Sequence, residues 1–429
     1  MAGLLGAEAA DLLHALHQPP PVSIRWNPAK HKAADGEQVP WCDQGRYLPE
    51  RPVFTLDPLL HSGAYYVQEA ASMLLEQALE ACGPLPSDAV VLDLCAAPGG
   101  KSTHLAALLP RQALLISNEV VRARQAPLTE NLWKWGRHDC VVTAADPQDF
   151  LPLGPFCDLL VVDAPCSGEG MFRKDPHARN QWGPNLVRTC AERQSAILGH
   201  AWNLLKPGGY LVYSTCTWEP AENEDQVEGL VRNGAELLQI PVQGQWGVVQ
   251  SAAGIRCYPH RVRGEGFFMA LVRKPMEAMG PGGTTTLGRP MPAGADSVRQ
   301  WLRDREGSVL LEHRSVLHAI SRPWAPLAAA LAGTVQVLAP GIPAALHKGD
   351  GWQPHPALAL NAVLDHGAFP AMDLGREQAL RYLRGEAMPA TGASGTALVR
   401  CNGLGLGWAN GAGNRWNNLW PAEWRIRMR

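Results

Sequence analysis

Five short apolar runs separated by helical stretches constrain the fold of this chain more than any other feature of its sequence. Val, Ile and Leu occupy consecutive positions in each run, which is typical of strands buried on both faces of a sheet. Strands that alternate with helices in this way predict an α/β fold with a doubly wound, mostly parallel, Rossmann-like sheet. The runs are AVVLDL (89–94), ALLIS (113–117), CVVTAA (140–145), CDLLVVD (157–163) and GYLVYST (209–215). A sixth run, GEGFFMALVRK (264–274), predicts an antiparallel strand at the edge of the sheet.

The sequence on either side of this central domain, residues 86–274, predicts three further parts. Residues 1–85 begin with a helical leucine pattern and include a stretch, 63–82, that predicts an amphipathic helix, so we expect an α-rich N-terminal extension. Residues 275–296 are rich in Gly, Pro, Thr and Met and predict a linker. Gly-rich, strand-like segments in residues 297–429 predict a small β-rich domain.

The composition, 46% apolar and 18% charged, is typical of a soluble globular protein, and 429 residues are too many for one core. The N-terminus lacks a basic cluster and the longest uncharged run is broken by Pro and Gly, so we expect a cytoplasmic chain without a signal peptide or membrane span. Ten cysteines without a C-x-x-C pair argue against a zinc ribbon or a disulfide framework. The net charge of −2 excludes a globally basic nucleic-acid binder. Residues 395–429 nevertheless carry a local charge of +4, which suits a polyanionic partner or a solvated basic face.

The loop after the first strand predicts a nucleoside-type ligand. Ligands of open α/β sheets bind beyond the carboxyl ends of the strands, and Gly99 and Gly100 there allow a tight turn into a helix N-terminus. The letters GGKS are similar to the end of a P-loop, but the glycine that a P-loop requires five positions before Gly100 is Cys95. The pattern G-x-G-x-x-G is absent as well. We therefore expect a ligand without a long phosphate chain.

Acidic residues end the next two strands. Glu119 is placed to accept hydrogen bonds from vicinal ribose hydroxyls, and Asp146 is placed to reach an adenine amino group. Each acid alone is more often a helix cap or a loop residue. Their occurrence at successive strand ends makes the ligand interpretation the more specific one.

The last two parallel strands each lead to a cysteine, Cys166 in DAPC and Cys216 in STC. A thiolate is the best soft nucleophile among side chains, and two thiols beside one acid suit an electron-poor pyrimidine ring. One cysteine would add to C6 and activate C5 for methylation, while Asp163 polarises the ring at N3 and the exocyclic amine. The residues alone leave open which cysteine adds and which assists release.

The motifs CAAPGGK, DAPCSGEGMFRK and STCT followed by PAENEDQV closely resemble the Nop/Sun family of RNA cytosine-5 methyltransferases, which use S-adenosylmethionine. The resemblance extends from PVSIRWNP (21–28) to GEGFFMALVRK (264–274). It implies that Cys216 is the nucleophile, that Cys166 assists release and that Asp163 polarises the base. It implies that Glu119 binds ribose, that Asp146 lies on the adenine side and that Asp163, the family's strand-four acid, also borders the cofactor. The implied cofactor loop consists of Cys95, Ala96, Ala97, Pro98, Gly99, Gly100 and Lys101.

The C-terminal segments GDGWQPHPALAL and LGWANGAGNRWNNLWPAEWRI resemble the PUA-like tail of bacterial RsmF-type rRNA methyltransferases. Ala409 stands where those tails often have a lysine, and an alanine cannot make the phosphate contact of that lysine. The tail's tryptophans pack a small core or stack on bases, and the first interpretation is favoured.

The resemblance implies an RNA partner, either small-subunit rRNA, within a ribosomal subunit or free, or tRNA as the alternative. A catalytically silent RNA-binding assembly factor is a second alternative, against which the two thiols and Asp163 argue together. The extension 1–85 and the region 297–429 are expected to bind RNA. Candidate RNA contacts are Arg173, Lys174, Arg415 and Arg425.

Overall fold

The computed structural model describes residues 5–31, 36–276 and 295–428. The strands are β1 (Val22–Trp26), β2 (Gly45–Leu48), β3 (Tyr65–Val67), β4 (Val90–Asp93), β5 (Leu114–Asn118), β6 (Cys140–Thr143), β7 (Cys157–Asp163), β8 (Leu205–Thr215), β9 (Glu236–Leu238), β10 (Val249–Gln250), β11 (Ile255–Cys257), β12 (Phe267–Arg273), β13 (Ser308–His313), β14 (Val316–Ser321), β15 (Val337–Ala339), β16 (Ile342–Lys348), β17 (Gly351–Pro354), β18 (Ala371–Leu374), β19 (Met388–Ala393), β20 (Thr396–Cys401), β21 (Leu404–Gly411) and β22 (Gly413–Asn418). The α-helices are α1 (Ala9–Ala15), α2 (Pro58–His61), α3 (Leu75–Ala81), α4 (Gly100–Leu108), α5 (Arg122–Trp135), α6 (Pro176–Gln181), α7 (Pro184–Leu204), α8 (Glu224–Arg232), α9 (Asp296–Arg299), α10 (Ala325–Thr334), α11 (Pro356–Ala359) and α12 (Arg376–Leu383).

The central sheet has the strand order β10-β11-β12-β8-β7-β4-β5-β6-β15, with β9 also paired to β12. The neighbours from β8 to β6 are parallel, and every residue of β4, β5 and β6 is buried. One hydrophobic cluster against this sheet contains Leu105 and Leu128 from α4 and α5, and a second contains Leu198 and Val227 from α7 and α8. The predicted doubly wound, mostly parallel sheet is therefore confirmed.

Strand β12 is antiparallel to β8, as the run 264–274 predicts, but it does not lie at the sheet edge. Strands β11 and β9 both pair with its other side. They are short, and the sequence between β8 and β12 carries no strong apolar run, so sequence analysis missed them.

The N-terminal extension contains a three-stranded antiparallel sheet in the order β2-β1-β3 in addition to its short helices. The predicted helix over 63–82 is wrong in its first part, because Tyr65–Val67 pairs with β1 and a 3-10 turn follows at Ala71–Leu74 before α3 begins. Two adjacent tyrosines and a valine favour a strand, and pairing with β1 decides the outcome.

A buried arginine joins this extension to the central domain. Arg25 is fully buried, and its guanidinium donates to Gln68 Oε1 and to Thr103 Oγ1, each at 2.7 Å. The same guanidinium lies 4.4 Å from the centre of the Trp135 ring. Because a buried cation is stable only with such partners, the extension and the central domain are expected to fold as one unit.

The C-terminal region forms two sheets, with the orders β13-β14-β16-β17 and β18-β20-β21-β22-β19. All neighbouring strands in them are antiparallel except β18 and β20, which are parallel. Between β14 and β16 of the first sheet, the chain contributes β15 to the central sheet, where it is antiparallel to β6. Sequence analysis did not predict this contribution, because a strand of three residues carries little pattern. The predicted linker, 275–296, lies mostly outside the described residues, which omit 277–294.

The tryptophans of the tail mainly fill its core. Trp408 and Trp420 are buried, and their indole N–H groups donate to the carbonyls of His355 and Trp424. The favoured interpretation of these two side chains is therefore confirmed. None of the described helices has the length and apolar character that a membrane crossing needs.

The contact between Asp139 and Ser321 gives a stability prediction, because it joins the C-terminal region to the central sheet. The buried Asp139 carboxylate accepts from the Ser321 N–H at 2.9 Å and from its hydroxyl at 2.8 Å. Asp139→Ala should lower the free energy of unfolding by about 1.5–3 kcal/mol, as expected for hydrogen bonds to a charged group. Urea unfolding followed by tryptophan fluorescence measures the loss. Ser321→Ala keeps the backbone bond and should cost less; equal stability of Asp139→Ala and the unaltered protein would contradict the assignment.

Candidate active site

Two adjacent parallel strands bring the candidate cysteines together. Asp163 at the end of β7 lies opposite Ser214 near the end of β8, so the residues that follow both strands leave the same edge of the sheet. The Sγ atoms of Cys166 and Cys216 are 3.1 Å apart, and both residues are half-buried free thiols. At this distance the two sulfurs share a hydrogen bond in which either atom can be the donor.

The surroundings of the pair shift the pKa values of the two thiols in opposite directions. The hydrogen bond from Cys166 lowers the pKa of the Cys216 thiol, and Lys101 acts in the same direction, against burial and the charge of Asp163. The same hydrogen bond and burial raise the pKa of Cys166, as does the nearby Glu222. Cys216 is therefore the more readily deprotonated thiol of the pair, and Cys166 is the more favourable S–H donor.

Asp163 is fixed beside the sulfurs by two donors to one of its oxygens. Its Oδ1 accepts from Lys101 Nζ at 2.8 Å and from Ser214 Oγ at 2.9 Å. The Asp163 side chain is 36% exposed, whereas Lys101 is buried with its Nζ 4.9 Å from the centre of the Phe267 ring. The carboxylate is thus held in place and still accessible to a ligand.

Buried hydrogen bonds connect the two cysteine loops. Ser167 Oγ and Thr217 Oγ1 are 3.0 Å apart, and Glu169 Oε2 accepts from Thr217 Oγ1 at 3.1 Å and from the Trp218 N–H at 2.9 Å. The N–H of Gly170 donates to the Cys216 carbonyl at 2.8 Å. A Cβ at Gly170 would lie 2.3 Å from the Gly266 carbonyl oxygen, so only glycine permits this approach.

The predicted cofactor loop, Cys95 to Lys101, connects β4 to α4 beside Asp163. Gly99 has a φ of +111°, a left-handed conformation that favours glycine, and it precedes α4 without a side-chain cap. Arg124 donates to the Ala97 carbonyl, and Asn131 Nδ2 donates to the Pro98 carbonyl at 2.8 Å. The loop is therefore held from α5 and presents the uncapped N-terminus of α4.

Asp93, the last residue of β4, is part of this site, although sequence analysis assigned it no role. Its Oδ2 accepts from Ser102 Oγ at 2.6 Å, and its buried Oδ1 has no hydrogen-bond partner among the described residues. Burial raises the pKa of Asp93 to about 7. Its place two residues before Cys95, the start of CAAPGGK, was the signal that could have identified it.

The two acids predicted to bind a nucleoside lie at the ends of neighbouring strands, in different environments. Glu119 is buried, and its Oε1 accepts from the Val121 N–H at 2.7 Å while its Oε2 is 3.5 Å from Arg124. Asp146 is exposed and accepts from the Gln148 N–H at 3.2 Å, as the cap of a 3-10 helix. The contacts of Asp146 are those of a helix cap, and its role toward adenine stays a prediction.

The four candidate RNA contacts also differ in exposure. Arg173 is buried in an ion pair, with its Nε 3.0 Å from Glu265 Oε2. Lys174 is exposed, and its Nζ is 3.9 Å from Glu265 Oε1. Arg415 and Arg425 are exposed, and Arg415 donates to its neighbour Asn417. The roles of all four toward RNA stay predictions, and the contacts of Arg173 are those of an anchor for its loop.

A second group of buried side chains could hold a metal ion. Cys42, Glu76 and His104 are buried, and their possible ligand atoms lie within 4.8 Å of one another. Glu76 Oε2 is 3.1 Å from His104 Nε2, and its Oε1 accepts from the Asp43 N–H at 3.1 Å. These contacts describe a hydrogen-bonded junction between the extension and α4.

Three family models match separate parts of the chain. They describe 16S rRNA methyltransferase RsmB/F for residues 82–273, the N-terminal domain of 16S rRNA methyltransferase RsmF for residues 1–70, and the methyltransferase RsmF PUA domain for residues 369–426. The matches confirm the resemblance that the motifs carry, and the PUA match confirms the nature of the C-terminal domain.

Curated relatives and solved structures agree with the family models. Ribosomal RNA small subunit methyltransferase F of Erwinia tasmaniensis is 31% identical over 421 residues, which cover 90% of this chain and 84% of the relative. The protein of the same name from Cronobacter sakazakii is 33% identical over 417 residues, with the same two shares. A methyltransferase homologue from Pyrococcus horikoshii is 28% identical with a TM-score of 0.54, and covers 63% of this chain and 91% of its own. NSun6 from Pyrococcus horikoshii with SFG is 22% identical with a TM-score of 0.54, shares of 64% and 97%, and shows the fold alone.

The raised pKa of Asp93 gives a pH-dependent stability prediction. The pKa of Asp93 is 3.8 in the unfolded chain and about 7 in the folded protein. Between these two pH values the unfolded chain has lost the proton that the folded protein still holds. The free energy of unfolding therefore falls as the pH rises through this interval. Asp93→Asn removes this titration. Relative to the unaltered protein, the variant should gain about 2 kcal/mol between about pH 5.5 and about pH 8. Thermal unfolding at both pH values measures the difference. Ser102→Ala removes a bond that opposes the shift and should extend the loss to higher pH. A pH-independent difference between Asp93→Asn and the unaltered protein would exclude the assignment.

Proposed function

Because the chain belongs to the ribosomal RNA small subunit methyltransferase F family, we propose that it transfers a methyl group from S-adenosylmethionine to C5 of a cytosine in structured RNA. The proposed substrate is small-subunit rRNA, and the proposed route is a covalent bond between Cys216 and C6 of the base. The observation that carries this proposal is the 3.1 Å contact between the Cys216 and Cys166 sulfurs beside the accessible carboxylate of Asp163.

The residues around the first loop fit S-adenosylmethionine. The uncapped N-terminus of α4 suits a carboxylate, and the Glu119 carboxylate suits vicinal hydroxyls. We propose that the loop Cys95 to Lys101 holds the cofactor with Glu119, Asp146 and Asp163. When bound, the cofactor supplies an electrophilic methyl group. Asp93 precedes the loop and accepts a hydrogen bond from Ser102 in α4, and its pKa of about 7 limits the negative charge near Asp163.

The contacts of Cys216 and Asp163 support addition to a cytosine. The Cys216 thiolate forms a bond to C6, and the electron pair of the C5–C6 double bond makes C5 nucleophilic. Acting as a general acid, the Asp163 carboxyl group donates a proton to N3, where negative charge develops as the thiolate adds, and it accepts a hydrogen bond from the exocyclic amine. Lys101 and Ser214 keep the carboxylate in that position.

The contact of Cys166 with Cys216 supports a role in release. After methylation a base takes the proton from C5, the C5–C6 double bond forms again, and the bond between C6 and sulfur breaks. Cys216 leaves as a thiolate, which the S–H of Cys166 stabilises by the hydrogen bond present in the resting protein.

RNA recognition is proposed for the parts outside the central domain. The proposed division is 1–85, 86–274, 275–296 and 297–429, with the first and last binding RNA. The names of the relatives favour small-subunit rRNA over tRNA as the substrate, and we propose the cytoplasm as the location. Phosphate contacts are proposed for the exposed side chains of Lys174, Arg415 and Arg425. Arg173 is proposed to contact phosphates only while it stays in its ion pair with Glu265.

Substitution of the two cysteines separates their roles. Cys216→Ala should abolish methyl transfer from labelled S-adenosylmethionine to rRNA while leaving cofactor binding by calorimetry near normal, because the thiolate is the nucleophile. Cys166→Ala should trap a covalent adduct that migrates with RNA on a denaturing gel. Trapping by Cys216→Ala instead would reverse the two roles.

The substrate is identified in a strain that lacks the gene. Bisulfite sequencing should show a missing 5-methylcytosine in small-subunit rRNA, restored by the unaltered protein and not by Cys216→Ala. Loss of the modification from tRNA alone would replace rRNA by tRNA as substrate.

A further inference from the structure

The backbone around Cys166 is irregular, in contrast to the backbone before Cys216. Residues 164–168 belong to no strand or helix, and Pro165 has no N–H to donate. Cys216 instead directly follows β8, where Thr215 pairs with Phe268 of β12. The position of the Cys166 sulfur therefore depends on side chains from other elements.

Two buried side chains hold the peptide groups on either side of Cys166. Gln194 Nε2 donates to the Pro165 carbonyl at 2.9 Å, directly before the cysteine. The N–H of Ser167, directly after it, donates to Glu222 Oε2 at 2.9 Å. Gln194 Nε2 also donates to the same Glu222 oxygen at 2.9 Å, which closes a bracket around Cys166. Both side chains are fully buried.

The bracket is itself anchored to the rest of the fold. Gln194 belongs to α7, the helix between β7 and β8, and Glu222 ends a 3-10 turn in the loop that follows Cys216. The Tyr213 hydroxyl, on β8, donates to the Glu222 carbonyl at 2.5 Å. Through these hydrogen bonds, the position of Cys166 is fixed relative to the strand and loop that carry Cys216.

We propose that Gln194 and Glu222 are positioning residues for release, which keep the Cys166 S–H directed at the Cys216 sulfur. This inference rests on the proposed function. In the release step the C5–H electron pair restores the C5–C6 double bond, the proton goes to a base, and Cys216 leaves with the electron pair of the C6–S bond. Cys166 stabilises that leaving thiolate only if its sulfur stays at hydrogen-bond distance. Loss of the bracket should therefore slow release more than addition, because β8 holds Cys216 independently.

Gln194→Met tests the bracket, since it keeps the shape of the side chain and removes both donated bonds. The assay uses the full-length protein, rRNA and labelled S-adenosylmethionine. Release should slow at least about tenfold, as expected when the hydrogen bond from Cys166 to the charged leaving thiolate of Cys216 is lost. Single-turnover methylation should stay within about twofold, and a covalent RNA adduct should accumulate on a denaturing gel. Glu222→Leu should act in the same way, whereas Glu222→Gln keeps an acceptor oxygen and should release more nearly as the unaltered protein does.

Gln226→Met is the matched control. Gln226 Nε2 donates to the carbonyls of Ala191 in α7 and Ala221 in the second loop, at 3.2 and 2.9 Å, and does not touch the Cys166 loop. It should not accumulate adduct. Cys166→Ala, assayed in parallel, reports on the proposed function by itself.

The outcomes separate the two claims. Adduct with both Cys166→Ala and Gln194→Met, and none with Gln226→Met, supports the bracket. The bracket is overturned if adduct accumulates with Cys166→Ala alone. It is also overturned if Gln194→Met and Gln226→Met slow addition and release to the same extent. Either result leaves the proposed function in place. Absence of adduct from Cys166→Ala overturns both.

Discussion

The parallel pairing of β7 with β8 is the constraint on which the rest of the site depends. It sets Asp163 opposite Ser214, so the two loops that leave these strands start side by side. Each loop carries one cysteine, and buried hydrogen bonds between the loops bring the sulfurs to 3.1 Å. A reactive pair from distant parts of the sequence is thus a consequence of strand order, because the carboxyl ends of neighbouring parallel strands share one edge.

The electrostatics of the site follow from that contact. The hydrogen bond between the sulfurs lowers the pKa of Cys216 and raises that of Cys166, so Cys216 is the more readily ionised thiol, and Lys101 also lowers the pKa of Cys216. Lys101 also holds Asp163, so one ammonium group serves both the nucleophile and the acid that polarises the base. The same hydrogen bond can stabilise the thiolate before addition and after release, which explains why two thiols are more useful than one.

Sequence analysis predicted the parallel sheet and the convergence at its edge, because buried runs and the residues that end them are local signals. It missed β15, whose three residues reach the sheet from the C-terminal region, and it assigned a helix where Tyr65–Val67 pairs as a strand. It also missed Gln194, since a glutamine within a long helix carries no pattern that reveals its contact with the Cys166 loop. Such contacts depend on tertiary packing, which motif spacing does not encode.

The most direct measurement of the central claim uses RNA in which the target cytosine carries fluorine at C5. With fluorine in place of hydrogen, C5 has no proton for a base to remove. Release is therefore blocked, and any covalent bond between protein and base persists. After digestion, mass spectrometry of the unaltered protein incubated with this RNA and S-adenosylmethionine should place the modified base on the peptide that contains Cys216. A modified base on the Cys166 peptide, or none on either peptide while unmodified RNA is methylated, would contradict the account.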